Sequence, residues 1–147
     1  MSTTETRQTR SVEETLDVAA KLAQGLRGGD VVHLRGELGA GKTHFVKGLA
    51  RGLGLDPDDV VSPTFTFVNV HRGAGPSGLG LVHVDLYRVG DPSELTELGL
   101  QEIPGSSAVA AVEWPERLPA HVAPPTLVVT LDDLGGSLRR VTVSRCR

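Results

Sequence analysis

Residues 36–43 read Gly-Glu-Leu-Gly-Ala-Gly-Lys-Thr, the spacing G-x-x-x-x-G-K-T. A stretch of this kind specifies its own surroundings. Consecutive backbone N–H groups must turn inward around phosphate oxygens, and side chains at the glycine positions would block that approach. A helix starting at the end of the loop adds its positive N-terminal dipole. Lys42 is then placed to reach the β- and γ-phosphates of a nucleotide, and the Thr43 hydroxyl to bind a magnesium ion. Gly39, Ala40, Gly41 and His44 complete the predicted loop and first helical turn.

The flanks carry the context that such a loop requires, a strand before it and a helix after it. Val31-Val32-His33-Leu34-Arg35 is a short β-branched run, and Phe45, Val46, Leu49 and Leu53 recur at helical spacing before a stop at Gly54. Upstream, Ser11-Val12-Glu13-Glu14 has the form of a capping box. It opens a helix whose apolar face runs through Leu16, Ala19, Ala20 and Ala23 and which ends at Gly28-Gly29. Thr15 lies in its first turns, either contacting a base or ribose or standing as an ordinary surface threonine.

Downstream, 62–70 reads as a loop feeding a strand, and 79–85 as a second strand forming an antiparallel hairpin with it. Asp91-Pro92-Ser93-Glu94 predicts a further helix ending near Gly99. Ala108-Val109-Ala110-Ala111-Val112 is a continuous apolar run, the pattern of a strand buried on both faces. A short helix is expected over 115–118, and 126–131 with 138–143 make another hairpin. The predicted fold is α/β: a P-loop NTPase-like mixed sheet flanked by helices, with antiparallel hairpin additions. Residues 1–10 are expected to be a disordered tail and 11–147 a single domain.

Two carboxylates stand where a metal-site acid belongs, at the carboxyl ends of predicted strands: Asp85 and Glu113. For each, the alternative is a strand-end acid that meets solvent. Thr64 lies in a loop soon after the phosphate-loop helix, as a γ-phosphate sensor or as part of a plain turn. Arg88 has a phosphate, a partner carboxylate or a surface ion pair open to it. Trp114 either borders the nucleotide or packs.

Composition narrows the function classes. Aromatic residues are 3% of the 147 and the formal net charge is −3, which argues against autonomous binding to a nucleic-acid backbone. A single cysteine, Cys146, excludes an internal disulfide, and the five histidines lack zinc-ligand spacing. No apolar stretch reads as a signal peptide or membrane span, so a cytoplasmic protein without membrane association is expected.

The motifs together resemble the TsaE (YjeE) ATPases of bacterial tRNA threonylcarbamoyladenosine biosynthesis. The resemblance spans about 11–143 and rests on residues 36–43, on Ser62-Pro63-Thr64-Phe65-Thr66, on His83-Val84-Asp85-Leu86-Tyr87-Arg88, and on Val112-Glu113-Trp114-Pro115. It implies ATP with Mg²⁺, weak intrinsic hydrolysis, and work with TsaD-like and TsaB-like proteins that modify adenosine 37 of tRNA, the tRNA being met only through that complex. By position it implies that Lys42 holds phosphates, that Thr43 and Glu113 serve the metal, and that Asp85 is an essential acid near the γ-phosphate. Thr64 would belong to a switch-like loop, Thr15 would contact the nucleotide, and Arg139 or Arg140 would reach it. His44 departs from the family, which often has Thr or Ser there. A small stand-alone P-loop kinase and a nucleotide-gated binding module remain alternatives; the Asn-Lys-x-Asp pattern of guanine selection is absent.

Overall fold

The computed structural model describes residues 3–63, 67–90 and 103–146. A seven-stranded sheet forms its centre: β1 (Thr3–Thr9), β2 (Val31–Arg35), β3 (Val68–His71), β4 (Gly80–Asp85), β5 (Ala108–Glu113), β6 (Leu127–Gly135) and β7 (Leu138–Arg145). Their spatial order is β1-β7-β6-β2-β5-β4-β3. Strands β6, β2, β5 and β4 run parallel, so their carboxyl ends share one edge, whereas β3, β7 and β1 are added antiparallel. Both predicted hairpins are present as β3–β4 and β6–β7.

Two α-helices, α1 (Val12–Ala23) and α2 (Lys42–Gly52), are described. Helix α1 begins as its capping signal predicts: the Glu14 N–H donates to Ser11 Oγ at 3.1 Å. The Glu14 carboxylate accepts from the Arg10 N–H at 3.2 Å, one residue beyond the usual capping-box donor. Helix α2 closes in a Schellman arrangement at Gly54, whose φ of +82° is the left-handed conformation glycine tolerates. There the Leu55 N–H donates to the Ala50 carbonyl and the Gly54 N–H to that of Arg51.

The helices cross at a seam of small residues. A Cβ at Gly48 would lie 2.5 Å from Ala19 Cβ, and one at Gly52 would lie 2.2 Å from the Ala20 carbonyl oxygen. Both helices contribute to one core cluster with Leu34, Leu81, Val109, Ala111 and Val129, in which Phe45 and Leu49 are fully buried. Each such side chain contributes roughly 1.5–3 kcal/mol of burial. The alternate residues of β4 and β5, Val82, Val84, Ala110 and Val112, face a second cluster with Leu86, Val89 and Val122. A strand buried on both faces is what the apolar run at 108–112 predicted.

One expectation is corrected. Residues 3–9 are not a disordered tail but the edge strand β1, in register with β7 from Thr3↔Arg145 to Thr9↔Arg139. Six of its seven residues are exposed, so the strand carries almost no apolar signal. It forms because β7 offers a free edge of backbone donors and acceptors. The predicted short helix near 115 is a single 3₁₀ turn over Pro115–Arg117. The helix predicted to start at Asp91 lies outside the described residues.

Candidate functional site

The loop between β2 and α2 turns at the carboxyl edge of the parallel strands. Gly39 and Gly41 have φ of +84° and +103°, and a Cβ on either would project into open space. Glycine is required there by backbone conformation and keeps the inner side of the loop clear for a ligand. Gly36 is held for a different reason: a Cβ would sit 2.7 Å from the Leu131 carbonyl oxygen. The β6–β7 hairpin thus presses on the back of the loop. Arg139 clamps it from the same side, its Nε donating to the Ala40 carbonyl at 3.0 Å while its Nη1 binds Asp133 and two hairpin carbonyls.

Lys42 opens α2 with its side chain folded back under the loop. It is 5% exposed, its Nζ donates to the Gly36 carbonyl at 2.6 Å, and that ammonium lies 3.5 Å from the centre of the Trp114 ring. Burial pushes its pKa below the ordinary lysine value, against the pull of the Glu113 and Asp85 carboxylates. The Trp114 backbone is left-handed, with φ of +58°, although proline follows. A conformation of this kind costs on the order of 1–3 kcal/mol and clusters at functional sites. It brings the ring over Lys42 and within 5.0 Å of the Tyr87 ring.

Register brings the acids together. Asp85 and Glu113 are paired neighbours at the ends of β4 and β5. The Thr43 hydroxyl lies 3.4 and 3.3 Å from the two Glu113 carboxylate oxygens and 3.1 Å from Ser62 Oγ. Glu113 is 3% exposed, and its Oε2 lies 2.6 Å from Nε2 of the fully buried His83. Asp85 accepts from the Tyr87 N–H at 3.0 Å. Burial raises its pKa above the ordinary aspartate value; the Tyr87 N–H opposes this, the Glu113 carboxylate adds to it, and His83 and Lys42 oppose it more weakly.

Gly39, Gly41, Lys42, Thr43, His44, Asp85 and Glu113 therefore line one cavity of about 230 Å³, with Ser62 and Trp114 in its wall. A second hollow of about 120 Å³ adjoins it across the loop, lined by Thr15, Gly39, Ala40, Gly41, His44 and Arg139. His44 borders both. Thr15 reaches the second hollow as a buried wall, with its hydroxyl already engaged by Thr9 Oγ1 at 2.7 Å and the Ser11 carbonyl at 3.3 Å. Arg88 is exposed, and Arg140 faces Asp132 at 3.8 Å on the hairpin surface. Thr64 lies outside the described residues.

Of the histidines, only His44 has an expected place at the nucleotide; His83 enters the sequence argument as part of the 83–88 motif, with no role of its own. The signal was available in its spacing to Asp85. Two residues apart on a strand, they share a face and an end. The stacking of Lys42 on Trp114 had no such signal.

Comparison with known proteins identifies the family and agrees with the fold. Residues 9–141 match the family model described as threonylcarbamoyl adenosine biosynthesis protein TsaE. A relative from Streptomyces coelicolor, named tRNA threonylcarbamoyladenosine biosynthesis protein TsaE, is 41% identical over 133 residues, covering 87% of this chain and 88% of its own. A protein of the same name from Treponema pallidum is 37% identical over 135 residues, covering 92% and 96%. The crystal structure of the Bacillus protein YdiB superposes with a TM-score of 0.75 at 31% identity, over 99% of this chain and 87% of that one. A family match over residues 9–141, with relatives 37–41% identical over most of both chains, places the chain in the TsaE family.

Proposed function

We propose that the chain is the ATP-binding and ATP-hydrolysing member of the machinery that makes threonylcarbamoyladenosine at position 37 of tRNA. Its hydrolysis would support repeated turnover of a TsaD-like and TsaB-like pair, with tRNA met only through that complex. Family membership supports the pathway. The observation that carries the chemistry is the convergence of Lys42, Thr43, Asp85 and Glu113 on one cavity at the carboxyl edge of the parallel strands.

The donor set fits a magnesium ion. Thr43, Ser62 and Glu113 gather hydroxyl and carboxylate oxygens within 3.4 Å of the Thr43 hydroxyl. Among the described residues no cluster of three or more His, Cys, Asp or Glu could hold a metal. A site with one carboxylate, completed by water and substrate phosphates, is the usual magnesium arrangement and not that of zinc or calcium. Bound there, the ion would draw charge from the β- and γ-phosphate oxygens.

The chain's own residues supply the rest. Loop N–H groups receive phosphate oxygens, and Lys42 exchanges the Gly36 carbonyl and the Trp114 face for an anion, which offsets the cost of burying its charge. Asp85, with its raised proton affinity, orients water and accepts a proton from it. The hollow walled by Thr15 and Arg139 lies on the side where the nucleoside would extend.

Dependence on partners has support in the openness of this edge. Leu38 is 68% and Tyr87 41% exposed, both in the cavity lining. An apolar rim of this kind is suited to being covered. Until it is covered, water has access, and catalysis by positioned charge is weak. Among the described residues no helix is long and apolar enough to cross a membrane; action in the cytoplasm is part of the proposal.

The test is ATP hydrolysis by the protein alone and with TsaB-like and TsaD-like proteins from the same source, using GTP as control. Stimulation by the pair, with ATP preferred, is the expected result. Partner-independent turnover would point to a free-standing kinase or hydrolase, and tight ATP binding without turnover to a nucleotide-gated binding module.

A further inference from the structure

Resting on the nucleotide-and-magnesium assignment above, we propose that His83 is a positioning residue for the cation site, holding the Glu113 carboxylate in the orientation that faces Thr43. His83 touches neither nucleotide nor metal in this scheme. It acts through Glu113.

The geometry is specific. His83 sits on β4 opposite Ala111 on β5, one pair before Asp85 opposite Glu113 on the same face. Residues two apart on a strand share a face, so His83, Ala111, Asp85 and Glu113 project to the same side. The imidazole crosses diagonally to the next pair, placing Nε2 2.6 Å from Glu113 Oε2. Ala111, fully buried, leaves the room for that crossing; a branched side chain would occupy it. Both Glu113 oxygens meanwhile stay within 3.4 Å of the Thr43 hydroxyl.

His83 spends its hydrogen bonding on this one contact. It is fully buried, and among the described residues its Nδ1 has no partner. Burying a polar ring with one nitrogen unsatisfied is costly. An apolar residue at 83 would avoid that cost, so the histidine is explained by what Nε2 does for Glu113. The contact between Nε2 and Oε2 holds the ring and the carboxylate in one relative orientation. Residues that orient metal ligands in this way commonly change metal affinity by about 10–100-fold when removed.

The experiment compares the full chain with His83→Leu, His83→Gln and His83→Asn. Mn²⁺ stands in for Mg²⁺, and its affinity is read by electron paramagnetic resonance with a non-hydrolysable ATP analogue bound. Analogue affinity in EDTA and the melting temperature are measured beside it. His83→Leu is expected to weaken Mn²⁺ binding about 10–100-fold while leaving EDTA affinity within about twofold. His83→Gln, whose carboxamide N–H can reach Glu113, should recover most of the loss; His83→Asn, which is shorter, should not. If the leucine variant does not fold, the glutamine and asparagine pair supplies the same comparison. Unchanged Mn²⁺ affinity in the leucine or asparagine variant overturns the proposal. So does a parallel loss of analogue binding in EDTA, which marks general damage. A wild-type protein that binds the analogue but no Mn²⁺ overturns the magnesium assignment itself, a result distinct from a metal-competent wild type with indifferent variants.

Discussion

The centre and the margin of this sheet handle polar groups in opposite ways. At the centre, Lys42, His83 and Glu113 are 5%, 0% and 3% exposed, linked to one another, to Thr43 or to backbone, with His83 Nδ1 left without a partner among the described residues. At the margin, six of the seven residues of β1 lie in water, and on the helices outside the sheet the Arg51 pairs with Glu13 and Asp17 are likewise on the surface. Exposed pairs of that kind are worth at most about 1 kcal/mol and can be lost without consequence. The central groups cost stability, and under the proposed function an added anion and cation give their arrangement its use. One sheet therefore carries both a scaffold and a strained, preorganised site, and perturbation should separate them.

The largest effect should come from Lys42→Ala. Removing the cation is expected to weaken ATP binding by at least about 100-fold, since a charge-assisted hydrogen bond is worth roughly 1.5–3 kcal/mol and here more than one is lost. The melting temperature should hold or rise, because a buried ammonium is removed. Calorimetric titration beside a thermal melt reads both, and normal ATP affinity would remove the phosphate-loop assignment.

Asp85→Asn should retain ATP affinity and lose turnover by about 100-fold or more. Its stability effect has a defined sign. Because the folded pKa is raised above 3.8, the native state holds a proton that the unfolded chain releases, so wild-type stability falls as pH rises through that window. An amide at this position carries no such penalty. The variant should melt a few degrees higher at neutral pH, and the gain should vanish as pH falls below the ordinary aspartate range. An advantage that instead grew in acid would contradict the raised pKa.

The scaffold is broken elsewhere. Gly48→Ala puts a methyl group 2.5 Å from Ala19 Cβ and 2.6 Å from the Leu16 carbonyl oxygen, so α1 and α2 must separate. A loss of about 1–3 kcal/mol in urea unfolding is expected, with ATP affinity little changed once the protein is folded. Smallest should be deletion of residues 1–8. It removes a strand exposed at six of seven positions, and about 1–2 kcal/mol of stability with unaltered ATP binding is expected. If the truncated chain bound ATP poorly, the margin would be contributing to the site through Thr9 and Thr15, and the division drawn above would need redrawing.

Much of the site was legible because phosphate chemistry restricts residue type at fixed spacing. Gly36 to Thr43, the strand before and the helix after were read from local pattern alone, as were the caps at Ser11 and Gly54 and both hairpins. The two strand-end acids were found by the same means, since each closes an apolar run read as a strand and so lies at its carboxyl end. Edge strand β1 was missed because strand formation there depends on a partner more than a hundred residues away and leaves no apolar trace.

By itself, then, the sequence determined the loop, its flanking elements and the identity of the groups able to meet phosphate and a hard cation. These follow from short-range rules of backbone conformation, capping and periodicity. Tertiary structure alone decided which groups meet. Parallel register set Glu113 beside Asp85, a small residue at 111 let His83 cross to Glu113, the left-handed backbone at Trp114 turned its ring over Lys42, and Arg139 came from a distant hairpin to clamp the loop. Each of those contacts joins residues far apart in the chain. Each is fixed by how strands register and pack, a property of the whole sheet that no local window of sequence contains.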